Sequence, residues 1–199
     1  MKRSKLLLAV VGATVLLGAL VASASAGRLE ISSLNTRVTW ARINYTGGFG
    51  TVECEAVIEG TYHSRTIVKT TGSLVGYVTA ANITRCARGG ATVNRETLPW
   101  HDRFNGFTGT LPNITTVGGR VVGTSWRIRE PTFGITCTAT AEENHAIIGN
   151  YTLSAGTVAE VSVGITGGGI SCGSFEGTLS GNTTNADNRS GARLTVRLI

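Results

Sequence analysis

The densest group of chemically functional side chains in this sequence lies in the segment Leu98-Pro99-Trp100-His101-Asp102-Arg103-Phe104. A carboxylate can orient an imidazole for proton transfer, an arginine can bind an anion, and a tryptophan can stack on a sugar ring. We therefore take four of these residues as candidate binding residues: Trp100, His101, Asp102 and Arg103. Adjacent residues of an extended segment point in opposite directions, so His101 and Asp102 need not act together. The alternative is a proline-turned corner at which Trp100 and Phe104 are buried in the core.

No other cluster selects a particular reaction. Glu53 and Glu55 share one strand face, where a solvated surface is a simpler interpretation than a glycosidase pair across a cleft. Glu142, Glu143 and His145 match no strong metal-binding motif. We therefore predict a protein that is not an enzyme and has no cofactor and no metal. A secreted hydrolase is kept as an alternative.

The elements that position the candidate segment alternate between apolar and polar residues with a period of two. In residues 51–58, Val52, Cys54 and Ile58 lie on one face, while the two glutamates lie on the other. Further strands are predicted at residues 37–43, 62–70, 74–84, 91–98, 120–129, 134–141, 146–154, 157–166, 170–179 and 192–199. Many short strands with one polar face predict an all-β fold, either an antiparallel β-sandwich or a Greek-key barrel.

Glycine-containing segments predict turns between these strands, at residues 45–48, 88–90, 117–119 and 167–169. None of these segments is long enough for a linker between domains. One helical turn is the most that we expect, within residues 140–148.

The N-terminus has the pattern of a secretory signal peptide. Three basic residues among the first five precede an uncharged, mostly apolar run at residues 6–21, and the small residues Ala24 and Ala26 suit cleavage after Ala26. The run is short for a membrane span, which needs about 20 residues. We predict a signal peptide at residues 1–26, followed by a single all-β domain at residues 27–199 with no stable membrane span. Retention of the segment as an N-terminal anchor is the alternative.

The four cysteines all follow the predicted cleavage site, at Cys54, Cys86, Cys137 and Cys172. An even number of cysteines in an exported chain predicts two disulfides. We favour the pairs Cys54–Cys86 and Cys137–Cys172, one in each half of the domain. The alternatives are a Cys54–Cys172 pair, because Glu-Gly-Thr follows both residues at similar spacing, and four free thiols.

Charge gives little guidance about partners. The chain has a formal net charge of +6, but removal of residues 1–26 leaves 15 basic and 12 acidic residues, a charge of +3. This steers the domain only weakly toward anionic polymers, and we predict no nucleic-acid partner. The sequence predicts a secreted or cell-envelope β-domain that binds or is structural, with an anionic or carbohydrate envelope polymer as candidate partner. A small transmembrane β-barrel is the alternative, because the length suits eight strands.

The chain resembles exported β-rich proteins of actinobacteria that have no assigned activity. The resemblance depends on Ala22-Ser23-Ala24-Ser25-Ala26, on the four cysteines, and on segments such as Leu98-Pro99-Trp100 and Leu111-Pro112-Asn113-Ile114-Thr115. It implies export and a β-rich fold, and it transfers no functional residue.

Overall fold

Fifteen strands make up most of the chain that the computed structural model describes, residues 28–110, 113–154, 158–183 and 185–199. The predicted signal peptide and its cleavage site lie outside these residues. The strands are β1 (Arg28–Ile31), β2 (Asn35–Gly47), β3 (Gly50–Tyr62), β4 (Thr66–Val68), β5 (Leu74–Arg88), β6 (Gly90–Val93), β7 (Trp100–Thr110), β8 (Asn113–Val122), β9 (Thr124–Arg129), β10 (Thr136–Ala141), β11 (Ile147–Leu153), β12 (Val158–Cys172), β13 (Phe175–Asn182), β14 (Asn185–Asp187) and β15 (Thr195–Leu198). A 3₁₀ turn spans Arg95–Thr97. No helix among the described residues is long and apolar enough to cross a membrane.

Eight of the strands close into an antiparallel barrel. They pair in the order β2, β3, β5, β7, β8, β11, β12 and β13, and β13 pairs with β2 to complete the ring. The all-β, antiparallel, disulfide-linked fold that the sequence predicts is therefore confirmed. The barrel strands follow one another in chain order, so their connectivity is up-and-down and not that of a Greek key.

Two small sheets extend from β12 and cover the ends of the barrel. β10 pairs with β12 through residues 169–171, and β9 and β6 continue this sheet. Residues 158–160 of β12 pair with β15, which continues into β1 and β4. The first sheet brings Trp126 to 4.9 Å from Trp100, between ring centroids. The second buries Leu29 and Val196.

Both disulfides link neighbouring antiparallel strands. Cys54 on β3 lies directly opposite Cys86 on β5 and is bonded to it. Cys137 on β10 is bonded to Cys172 on β12. This is the favoured one of the three possible pairings, and no cysteine is free. One disulfide ties two barrel strands together, and the other ties a covering sheet to the barrel.

The two faces of the barrel wall differ in polarity. Trp40, Ile43 and Tyr45 of β2 point inward, with a bulge between the first two restoring the alternation. The outer face of β2, β3 and β5 carries three cross-strand ion pairs: Arg37–Glu59 at 2.8 Å, Arg42–Glu53 at 3.1 Å, and Arg85–Glu55. Such exposed pairs contribute at most about 1 kcal/mol each. Glu53 and Glu55 therefore lie on a solvated outer face, as the sequence predicts.

The predicted strands at residues 120–129 and 170–179 each span the break between two strands, and β1 and β14 were not predicted. Further elements differ from the sequence predictions, and glycine explains two of them. The predicted turn at residues 117–119 lies inside β8, and the predicted turn at residues 167–169 is a bulge within β12. Glycine in a strand also marks a bulge or a close approach of neighbouring groups. Gly167 lies at the bulge in β12, and Gly119 allows the close approach in β8, so neither segment forms a turn. The third difference is β7, which we did not predict as a strand. The expected helical turn is a tight turn in which the His145 N–H donates to the Glu142 carbonyl at 3.1 Å.

Candidate binding cavity

The barrel interior contains a cavity of about 90 Å³. Its lining includes all three tryptophans of the chain, three tyrosines, three threonines and one aspartate: Trp40, Trp100, Trp126, Tyr62, Tyr77, Tyr151, Thr36, Thr61, Thr124 and Asp102. Aliphatic side chains from β2, β3, β5, β8, β11 and β13 make up much of the remaining wall. Concave apolar sites with a few polar groups are the usual form of small-molecule sites.

Glycines at inward positions create part of this space. Gly60, Gly119 and Gly149 line the cavity without a side chain. A Cβ atom on Gly119 would lie 3.1 Å from Oδ1 of Asp102 and 3.2 Å from Cε2 of Tyr151. The bare backbone at Gly119 therefore leaves room beside these two side chains.

Asp102 reaches the cavity because it follows Trp100 by two residues on β7, on the same face of the strand. Its Oδ1 atom is shielded from solvent and has no hydrogen-bond partner among the described residues. The side chain as a whole keeps partial exposure, because it lines this cavity and a second one of about 30 Å³. Burial raises the pKa of Asp102 to about 7. The carboxyl group therefore titrates near neutral pH.

Two tyrosines accompany Asp102 at the junction of the two cavities. Tyr62 on β3 donates its hydroxyl hydrogen to the Tyr151 hydroxyl on β11, at 3.3 Å. Burial raises the pKa of Tyr151, and the nearby Asp102 charge raises it further. The pKa of Tyr62 is raised by burial, and next by Tyr151 and Asp102. Both phenols are therefore neutral in the range in which Asp102 titrates.

Hydrogen-bond donors face the cavity near the β9 end. Nε1 of Trp40, Nε1 of Trp126 and Oγ1 of Thr124 are buried and have no partner within the described chain. By contrast, Nε1 of Trp100 donates to Oγ1 of Thr97 at 2.9 Å. The residues that line the cavity thus include buried donors without a partner, one carboxyl group and many apolar side chains.

The four candidate residues from the sequence divide between the two faces of β7. Trp100 is 1% exposed and Asp102 points inward, whereas His101 is exposed with its ring 5.5 Å from that of Tyr77. Arg103 does not line the larger cavity: its buried Nε adjoins the smaller one, and its Nη2 lies 3.4 Å from Glu143. Hence His101 and Asp102 form no dyad, and the four residues do not share one surface.

Most of the residues that line the cavity were not predicted from the sequence. Tyr62, Tyr151 and Gly119 were not candidates, and Trp40 and Trp126 were considered only as strand residues. The available signal was the inward register of each tryptophan, but these residues lie on strands that are far apart in the chain. Only the closed barrel brings them together.

Two other clusters have structural partners. Glu143 contacts Arg103 and also Arg120, at 3.2 Å, and the described residues contain no group of three metal-ligating side chains.

Residues 169–173 read Gly-Ile-Ser-Cys-Gly, a pattern that was not among the sequence predictions. In hydrolases this pattern sits on a turn between a strand and a helix. Here it lies at the end of β12, Cys172 is bonded to Cys137, and a hairpin leads to β13.

Glu130, which lies in the connection between β9 and β10, has a structural role. Glu130 is 2% exposed, and its carboxylate accepts hydrogen bonds from the backbone N–H groups of Thr132 at 2.8 Å and Phe133 at 2.7 Å. Burial alone would raise the pKa of Glu130, but these hydrogen bonds and the Arg88 guanidinium at 4.0 Å hold it below its ordinary value. This carboxylate orders a turn and does not face the cavity.

The chain matches no protein-family model, no curated protein and no solved structure.

Proposed function

We propose that this chain is an exported protein that binds a small molecule inside its barrel. The observation that carries the proposal is the convergence of three tryptophans, three tyrosines and one aspartate on a single cavity. An eight-stranded barrel is just wide enough either to be filled by side chains or to hold one small ligand. Here three inward positions are glycine, which favours the second use.

The energetic cost of the cavity supports a binding role. At about 24 cal/mol per Å³, an empty space of 90 Å³ costs about 2 kcal/mol of stability. Each buried polar group without a partner costs roughly 1–3 kcal/mol more. The Asp102 carboxyl, Thr124 and the indole groups of Trp40 and Trp126 are of this kind. A ligand that fills the space and contacts these groups would offset both costs.

Export is supported by independent features of the chain. Disulfides form and persist in oxidising compartments, and this protein has two. The N-terminal pattern is that of a secretory signal. The arginine–glutamate pairs on the outer face suit a hydrated surface. We therefore place the domain outside the cell or in its envelope.

Binding without catalysis is the simpler interpretation of the site. His101 points away from Asp102, so no imidazole within the described structure supports a nucleophile in the cavity. An envelope polymer is too large for this cavity and would contact outer residues such as His101 and Arg103. That partner stays a prediction, and the cavity favours a small molecule.

The test is a binding screen that uses the tryptophans as reporters. The full chain is expressed with its own N-terminus, recovered after export without detergent, and titrated with compounds of up to about eight heavy atoms. Binding is followed by tryptophan fluorescence. We expect hits that are lost in Val121→Phe, which fills the cavity, and kept in Val68→Phe, the same change at an exposed position. An empty screen, or hits that persist in Val121→Phe, would overturn the proposal.

A further inference from the structure

We propose that the ligand of this cavity is a small organic cation whose ammonium group lies against the Asp102 carboxylate, among the rings of Trp100, Tyr62 and Tyr151. This inference rests on the proposed function, and it specifies the chemistry of the ligand. Its starting point is a buried carboxylate oxygen that faces an aromatic cavity without a partner.

The charge distribution around the cavity favours a cation. Among the described residues that line it, Asp102 is the one acid, and there is no lysine, arginine or histidine. Arg103 lines the smaller cavity, where its Nε is buried without a partner among the described residues, while its Nη1 donates to the Gly72 carbonyl at 3.2 Å and its Nη2 pairs with Glu143. The Asp102 carboxylate therefore has no counter-charge in the lining of the larger cavity, and a positive ligand there would supply one.

The aromatic walls select an organic cation over a metal ion. Ring faces attract ammonium groups, and tryptophan does so best. Aliphatic side chains such as Val78, Val121 and Ile147 complete the wall and suit alkyl substituents. A metal ion such as calcium needs six to eight oxygen ligands, whereas one carboxyl group and two phenols are the oxygen-bearing side chains that both cavities share. An alkylammonium group matches both the charge and the apolar surface.

The available space limits the size of the ligand. Asp102, Tyr62, Tyr151 and Gly119 line both cavities, so the two spaces of about 90 and 30 Å³ adjoin at the carboxyl group. Because a cavity of about 150 Å³ holds benzene, these spaces together suit roughly five heavy atoms. The lining also offers the free N–H groups of Trp40 and Trp126 to an acceptor on the ligand.

The experiment compares tert-butylammonium with tert-butanol, two probes of five heavy atoms that share one shape and differ in charge. Both are titrated into the full chain at pH 7, with calorimetry and tryptophan fluorescence as readouts. We expect the ammonium probe to bind at least tenfold more tightly than the alcohol. Asp102→Asn should weaken the ammonium probe at least tenfold and change the alcohol less than threefold. Asp187→Asn, at the other aspartate of the chain and outside the cavity, should change neither.

A pH series on the unaltered protein keeps the test valid if Asp102→Asn does not fold. The groups that face Asp102 from β3 and β11 are the phenols of Tyr62 and Tyr151, which stay neutral below pH 8. Affinity for the ammonium probe should therefore rise roughly tenfold per pH unit between pH 5 and 7, as the carboxyl group loses its proton. The alcohol should show little change.

The possible failures are distinguishable. Equal binding of the two probes, or a flat pH profile for the ammonium probe, overturns the cation and leaves the binding function standing. The same conclusion follows if neither probe binds while the general screen yields other ligands. If the screen is also empty, the proposed function falls together with the cation.

Discussion

Replacing Asp102 by asparagine should remove a pH-dependent loss of stability from this protein. The pKa of Asp102 is about 7 in the folded chain, against 3.8 for an unperturbed group. Between these values the folded state binds more protons than the unfolded chain does, so stability falls as the pH rises. A difference of about three pKa units corresponds to about 4 kcal/mol, fully present below pH 4 and lost by pH 7. Asparagine resembles the protonated carboxyl group and carries no charge at any pH.

The measurement is the free energy of unfolding by urea at pH 4, 5, 6, 7 and 8, with the disulfides intact. The useful quantity is the difference between Asp102→Asn and the unaltered protein, because the outer ion pairs respond to pH equally in both. We expect the variant to gain about 2–4 kcal/mol relative to the unaltered protein between pH 4 and 7. The lower figure allows for the partial exposure of Asp102 to the cavity. A difference that stays constant within about 0.5 kcal/mol would refute the reasoning, and Asp187→Asn serves as the control.

Three further predictions concern the bonds and spaces that shape the barrel. Removing the first disulfide as Cys54→Ala with Cys86→Ala should lower the free energy of unfolding by about 4 kcal/mol, because it opens a loop of 32 residues; an unchanged melting curve would contradict this. Gly119→Ala should lower the free energy of unfolding by about 1–3 kcal/mol, because the new Cβ crowds the cavity, and it should weaken ligand binding. Gly169→Ala is the control and should do neither, because no atom lies within 4 Å of its new Cβ. Equal effects of the two changes would count against the role assigned to Gly119. Glu130→Gln should lower the melting temperature at pH 7 and should lower it less toward pH 3. The reason is that a carboxylate with a lowered pKa stabilises the fold only while it is ionised. A decrease in melting temperature that does not depend on pH would exclude this explanation.

The fold class could be predicted because its signal is local. In residues 51–58, inside β3, one face must be buried and the other hydrated, and each residue shows its face by its own type. The predicted strands at residues 37–43 and 146–154 coincide with β2 and β11 for the same reason. The disulfide pairs were also within reach, because each joins cysteines in the same half of the domain. Closure of the ring between β13 and β2 was not, since it pairs distant parts of the chain.

The candidate site was only partly predictable, because its residues lack a common local pattern. Asp102 was singled out for its neighbours His101 and Arg103, yet neither of them lines the larger cavity. Its actual companions are Tyr62 and Tyr151, about 40 and 50 residues away in the chain. The strand that holds it, β7, was missed because Pro99 directly precedes it and because glycine and charged residues interrupt its apolar alternation. A site that forms only when strands distant in the chain pair with one another produces no regular spacing of its residues in the sequence.

Glycine explains both the errors in the predicted strands and the existence of the cavity. Gly118 and Gly119 resemble a turn when read along the chain, because glycine is the usual residue of turns. Within β8, Gly119 lies opposite Phe104 and Gly118 lies opposite Gly106 of the bulged β7. A side chain at Gly119 would press on Asp102 and Tyr151. Gly119 is therefore needed for the close approach of Asp102 and Tyr151 to the barrel wall, and alanine or valine would not fit there without a shift of these side chains. Since the same strand position places the free carboxyl oxygen of Asp102 beside the cavity that the tryptophans line, the glycine, the carboxyl group and the tryptophans together support the proposed binding site.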